Sequence, residues 1–120
     1  MEFFDTHAHY SPTEDGDFLP WFQRAADAGV TRVLLATSGW ENTSDSANCA
    51  NAVDGAFFSA GIHPHEAETE TAHDHREYLT FLQQEKCVAA GEIGLDYFYE
   101  ISPVEKQREV FDTFLSLALE

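Results

Sequence analysis

Two cysteines are too few to staple a chain of 120 residues, and Cys49 and Cys87 stand far apart with no Cys-x-x-Cys or Cys/His spacing near either. A disulfide scaffold and a structural zinc finger are therefore excluded, and both thiols are expected to pack as small apolar residues. Positive charge is scarcer still. Lys86, Lys106 and four arginines face 22 acidic residues, for a formal charge of −16. A field of that sign repels polyanions at long range and argues against binding to nucleic acid through a basic surface. It does not exclude acidic groups gathered around divalent cations, which neutralise them locally. Nor is there an uninterrupted apolar run of roughly 18 residues, or a basic flank and apolar stretch after Met1. No membrane contact is expected, and the chain reads as cytoplasmic.

What is present is a 43% apolar composition with 13% aromatic residues, enough for a packed core. The apolar pattern changes period repeatedly, so the chain alternates strand and helix. Residues 2–7 form a short apolar strand, and Asp17 caps a helix carrying Phe18, Phe22, Ala25 and Ala26 on one face until Gly29. Residues 30–37 contain Val33-Leu34-Leu35, which suits a strand buried on both faces, and a weaker helix spans about 44–53. Residues 56–62 form a third strand. A helix at 75–84 places Tyr78, Phe81 and Leu82 on one stripe, and residues 87–93 form a fourth strand. Ser102-Pro103-Val104-Glu105 has the composition of a capping box and opens a helix through Val110, Phe111, Phe114, Leu115 and Ala118. The acidic loop 66–74, with Glu66, Glu68, Glu70 and Asp74, reads as a solvated, mobile surface.

Four successive strand-helix units imply a parallel sheet with right-handed crossovers, either doubly wound or part of a (β/α)8 barrel, which needs about twice this length. The last helix reaches Glu120 without a glycine, asparagine or proline stop. The chain is accordingly expected to be the truncated half of a barrel.

Three clusters end three of these strands. In Asp5-Thr6-His7-Ala8-His9 the two-residue period of a strand turns Asp5, His7 and His9 to one face, about 7 Å apart, where two imidazoles can share a metal. The bland alternative is a pair of solvated histidines. In Ala90-Gly91-Glu92-Ile93-Gly94-Leu95-Asp96, Glu92 follows Val88 and Ala90 on one face and arrives at the rim between glycines that leave its backbone accessible. Alternatively the glycines relieve packing and Glu92 points to solvent. In Gly61-Ile62-His63-Pro64-His65, Pro64 makes His63 leave the strand extended, free to donate to a phosphate or carbonyl oxygen, or else only to cap its own loop.

In order along the chain these motifs, followed by Gln107, Phe111 and Leu117-Ala118, resemble the TatD family of metal-dependent deoxyribonucleases, within the amidohydrolase superfamily. The resemblance covers the whole chain. It implies an α/β fold of the TIM-type (β/α)8 barrel, with residues 1–120 as the N-terminal half of a single domain and about its first four βα units. It also implies a two-metal phosphodiesterase site using Mg, Mn or Zn, in which His7, His9 and Glu92 match metal ligands, Glu92 bridges the ions, and His63 lies near the substrate phosphate. No catalytic residue falls within the chain: the family's aspartate, and two further histidine ligands, belong to later strands beyond Glu120.

DNA is then the substrate of the complete protein, and the three ligands present suit one zinc, manganese or iron ion held weakly, with little turnover. Two other readings stand beside this one. Another amidohydrolase acting on amides or esters would use the same His-x-His, although many such relatives carry a carbamylated lysine on strand four. A non-catalytic half barrel would pair with itself or with a C-terminal half, because its edges and inner face are otherwise unsatisfied.

Overall fold

The computed structural model describes residues 1–120. Strands β1 (Phe3–Ala8), β2 (Val30–Leu35), β3 (Ala56–Ala60) and β4 (Cys87–Ala90) form one parallel sheet in the order β1-β2-β3-β4. Helices α1 (Pro12–Asp15), α2 (Phe18–Asp27), α3 (Trp40–Ala52), α4 (Leu79–Leu82) and α5 (Val104–Ala118) alternate with them. Strand order that follows chain order, with a helix in every crossover, is the arrangement of consecutive βα units in a barrel wall.

The core lies between the sheet and its helices. Val33, Leu35, Ala56, Phe58 and Ala60 are buried on the helix-facing side, where Phe18, Ala47, Ala50, Tyr78, Phe81, Val110, Phe114 and Leu117 close over them. The opposite face carries Phe4 against Phe57 at 5.9 Å and remains partly exposed, with Phe4 at 44%. β1 and β4 each leave one edge unpaired.

Several local expectations are corrected. The stripe of α5 is rotated: Gln107, Val110, Phe114 and Leu117 are buried, whereas Leu115 and Ala118 are exposed. Ser102 does not cap that helix. Its hydroxyl donates to the His65 carbonyl (2.9 Å) and accepts from Glu68 N–H (3.1 Å), so it fastens the loop after β3 instead. The capping box belongs to Asp74 and Glu77, whose carboxylates accept from Arg76 N–H (2.8 Å) and Asp74 N–H (3.1 Å). They open a 3-10 turn, His75–Tyr78, which runs into the short α4 in place of one longer helix. Asp17 precedes α2 without a side-chain cap, and α3 begins at Trp40, four residues ahead of the sequence pattern. In the acidic loop, Ala67 is buried and His73 stacks on Trp40 at 3.8 Å, which packs the segment against α3 although Glu66, Glu68 and Asp74 stay exposed. Both cysteines are half-buried and unpaired; burial pushes the Cys87 thiol up to about 11 and also raises that of Cys49.

Tyr78 is fully buried and its hydroxyl has no hydrogen-bond partner. Burial, and then the Glu70 carboxylate, hold its phenol above the ordinary value. An unsatisfied buried hydroxyl costs about 1–3 kcal/mol. Tyr78→Phe is therefore expected to be neutral or stabilising by up to about 1 kcal/mol, raising Tm in a thermal melt by as much as about 5 °C. A clear fall in Tm would mean that the hydroxyl is bonded in solution.

Candidate metal centre

The four strands are parallel, so their carboxyl ends share one rim, and hydroxyl groups tie the ends of β2, β3 and β4 together there. Thr37, just beyond β2, is fully buried. Its hydroxyl lies 2.9 Å from the Ser59 carbonyl and 3.3 Å from that of Gly91, and accepts from Thr43 of α3 at 3.0 Å. Its carbonyl accepts the Glu92 N–H at 2.6 Å. The chain leaving β4 is thus tied to β2 and β3 at the residue that carries the carboxylate. Gly61 makes the closeness of β3 and β4 feasible, because a Cβ there would meet Ile93 Cγ2 at 2.8 Å and Glu92 O at 2.9 Å. Around Glu92 the backbone is open: a Cβ on Gly91 would meet only Ser59, at 3.9 Å, and one on Gly94 nothing within 4 Å.

At this rim His7, His9 and Glu92 converge. One ligand-type atom from each lies within 4.8 Å of the others, and His7 Nε2 is 3.6 Å from Glu92 Oε1. The His7 and His9 rings meet edge to face at 4.9 Å, and Asp5 accepts the His7 N–H at 3.0 Å within β1, where the pairing with β2 is irregular. Both histidines are exposed and Glu92 is half-buried. Two donors each about 2.1 Å from one ion at a tetrahedral angle are about 3.4 Å apart. The 3.6 Å between His7 and Glu92 is close to that separation; the set as a whole, within 4.8 Å, would have to draw together to share one ion, and two imidazoles with one carboxylate suit a first-row divalent cation.

His63 leaves β3 extended (φ −60°, ψ 143°), and its Nδ1 accepts the His65 N–H at 3.0 Å. The loop-capping role is thus real and occupies Nδ1. It also makes the neutral ring carry its proton on Nε2, so that atom can only donate.

A second pair at this rim has no sequence signature of its own. His65 Nε2 bonds Asp96 Oδ2, and this bond, followed by the Tyr99 and Phe98 N–H groups, holds the Asp96 carboxyl below the ordinary aspartate value. The backbone of Asp96 is clamped in turn by the fully buried Gln107, whose side chain accepts from Asp96 N–H (2.7 Å) and donates to the carbonyls of Asp96 (3.1 Å) and Ser102 (2.8 Å). Asp96 and Gln107 both stand in the motif set above. Their partnership depends on α5 folding back over the loop after β4, which no spacing encodes.

A parallel α/β wall with imidazoles and a carboxylate at its carboxyl rim defines the rim-site class of (β/α) barrel proteins. Comparison with known proteins narrows the class. The family described as TatD related DNase matches residues 4–120. The metal-dependent hydrolase YabD of Bacillus subtilis, itself uncharacterised, is 32% identical over 118 residues, covering 98% of this chain and 46% of YabD. The 3'-5' ssDNA/RNA exonuclease TatD of Pantoea vagans is 34% identical over 99 residues, covering 82% of this chain and 38% of that protein. Among solved structures, the TatD homologue YjjV of Escherichia coli superposes with a TM-score of 0.82 at 34% identity, over 97% of this chain and 46% of YjjV. The chain belongs to the TatD-related DNase family, and it spans about half the length of the curated relatives it matches.

Proposed function

We propose that residues 1–120 supply the first-strand and fourth-strand ligands of a metal-dependent phosphodiesterase acting on DNA, as the N-terminal half of a single barrel domain. The observation that carries this reading is the convergence of His7, His9 and Glu92 within 4.8 Å at the carboxyl rim. Relatives named as metal-dependent hydrolases and as an ssDNA/RNA exonuclease support it. Divalent ions at such a centre polarise a phosphoryl oxygen and lower the pKa of a bound water. His7 and His9 would hold an ion through ring nitrogens, and Glu92, with two carboxylate oxygens, would serve both ions of a pair. The Nε2–H of His63 donates to a non-bridging phosphate oxygen, a role consistent with the occupation of its Nδ1. The proton acceptor is the family's aspartate from a later strand, so residues 1–120 alone hold one ion weakly and turn over little.

A Mn2+ titration followed by NMR tests the centre. Ring signals of His7 and His9 should broaden at the lowest added metal, ahead of His73 and His75. Earlier broadening around the acidic loop would remove the proposed site. Any hydrolysis above an EDTA control should fall on DNA; activity on small esters or cyclic amides instead would favour a different hydrolase chemistry. A pairing half barrel is supported by the unpaired edges of β1 and β4 and by an apolar groove of about 220 Å³ lined by Leu79, Leu82, Val88 and Leu117. A concentration-independent monomer mass in sedimentation would count against it.

A further inference from the structure

The loop between β4 and α5 presents Tyr97, Phe98 and Tyr99 in succession at 48%, 85% and 68% exposure. Exposed rings of this size normally sit on a loop free to fold them away. This loop is not free. The Asp96 carboxylate accepts from Phe98 N–H (3.0 Å) and Tyr99 N–H (3.2 Å), and Gln107 clamps the Asp96 backbone on both sides. The rings also continue a path from His63, which leaves the end of β3. His63 meets His65 at 4.5 Å, His65 meets Tyr99 at 5.9 Å, and Tyr99 meets Phe98 at 4.7 Å, each edge to face. Arg108, one of the few cations in the chain, lies beside this path, with its Nε 3.0 Å from the Tyr97 hydroxyl.

We propose that Phe98 and Tyr99 form a stacking platform for unpaired nucleobases, receiving a single strand whose phosphodiester lies at the His7, His9 and Glu92 rim. The proposal rests on the phosphodiesterase reading for its substrate class. Rigid rings on a fixed backbone lose little entropy when a base stacks on them. Base stacking also answers the charge problem: at −16 the chain gains little from phosphates, so affinity for a polyanion has to come from contacts that do not depend on cations. Duplex bases have both faces covered already, which selects a single strand.

The test uses the 120-residue chain with EDTA, so that no cleavage intervenes. Fluorescence anisotropy compares an oligothymidylate of about 12 nucleotides with an abasic oligomer of equal length. The thymidylate is expected to bind about tenfold tighter, with the ratio maintained from low to high salt. Phe98→Ala with Tyr99→Ala should bring the ratio near one, and Phe98→Trp should preserve it; circular dichroism should be unchanged in both, because the rings are exposed. A ratio near one in the unaltered chain, or one that survives the double substitution, overturns the proposal. So does a concentration-dependent dimer that the same substitution dissolves, since the patch would then be a self-contact. Metal-dependent cleavage with a ratio of one would uphold the phosphodiesterase and reject the platform. A base-dependent ratio without bound metal at His7, His9 and Glu92 would do the reverse.

Discussion

Glu92→Ala is expected to lower the affinity of the chain for Mn2+ or Zn2+ by about 100-fold or more in calorimetric titration. Loss of a group that merely orients a metal ligand already weakens binding about 10- to 100-fold, and Glu92 is the proposed ligand and the only carboxylate in the cluster. With two exposed imidazoles left, the remaining pair resembles any surface His-x-His. Glu92→Gln should behave almost as badly, since it keeps the shape and removes the charge. The fold should survive either change: Glu92 is tied to Thr37 through its backbone N–H, which neither substitution alters. Affinity within about threefold of the unaltered chain would show that metal binds elsewhere. The acidic loop 66–74 would then be the place to look.

Gln107→Leu should destabilise the chain by about 3 kcal/mol or more, a loss on the order of 10 °C in Tm. The substitution keeps the volume and helix propensity of the side chain, so a reading by apolar periodicity would score it as harmless. It removes the partner of three backbone groups, Asp96 N–H, Asp96 C=O and Ser102 C=O, at a residue that is itself fully buried. The rim should loosen with it, because Asp96 holds the Tyr97–Tyr99 loop and the His65 ring. Urea denaturation measures the stability change. A change below about 1 kcal/mol would mean that water replaces the glutamine.

The same residue marks the border of what the chain order made legible. Strand-helix alternation and the parallel sheet could be read because apolar periodicity is local: Val33-Leu34-Leu35 is a strand whatever surrounds it, while the choice of a barrel over a doubly wound sheet came from the resemblance of the rim motifs to a known family. The rim clusters were legible for a related reason, since a strand of period two sends His7 and His9 to one side. Errors fell where one chemical group had two candidate partners. Ser102 has the composition of a helix cap, and its hydroxyl went to His65 and Glu68 instead. The α5 stripe was assigned from its apolar residues and so missed Gln107, a polar residue buried by three hydrogen bonds. The short α4 follows from Asp74 and Glu77, whose capping box starts a 3-10 turn inside what reads as one amphipathic helix.

The sequence by itself determined the alternation of strand and helix and a parallel sheet, because these follow from the local period of the backbone, and its motifs named His7, His9, His63 and Glu92 as rim residues; the order of the strands is seen only in the assembled sheet. Only the tertiary structure decided that His7 and Glu92, 85 positions apart, come within 3.6 Å, that Thr37 ties three strand ends together, and that His65 and Asp96 pair under the hold of Gln107. Those contacts join distant segments, and their distances are set by the packing of helices over the sheet, a property that belongs to the assembled core and to no single stretch of the chain.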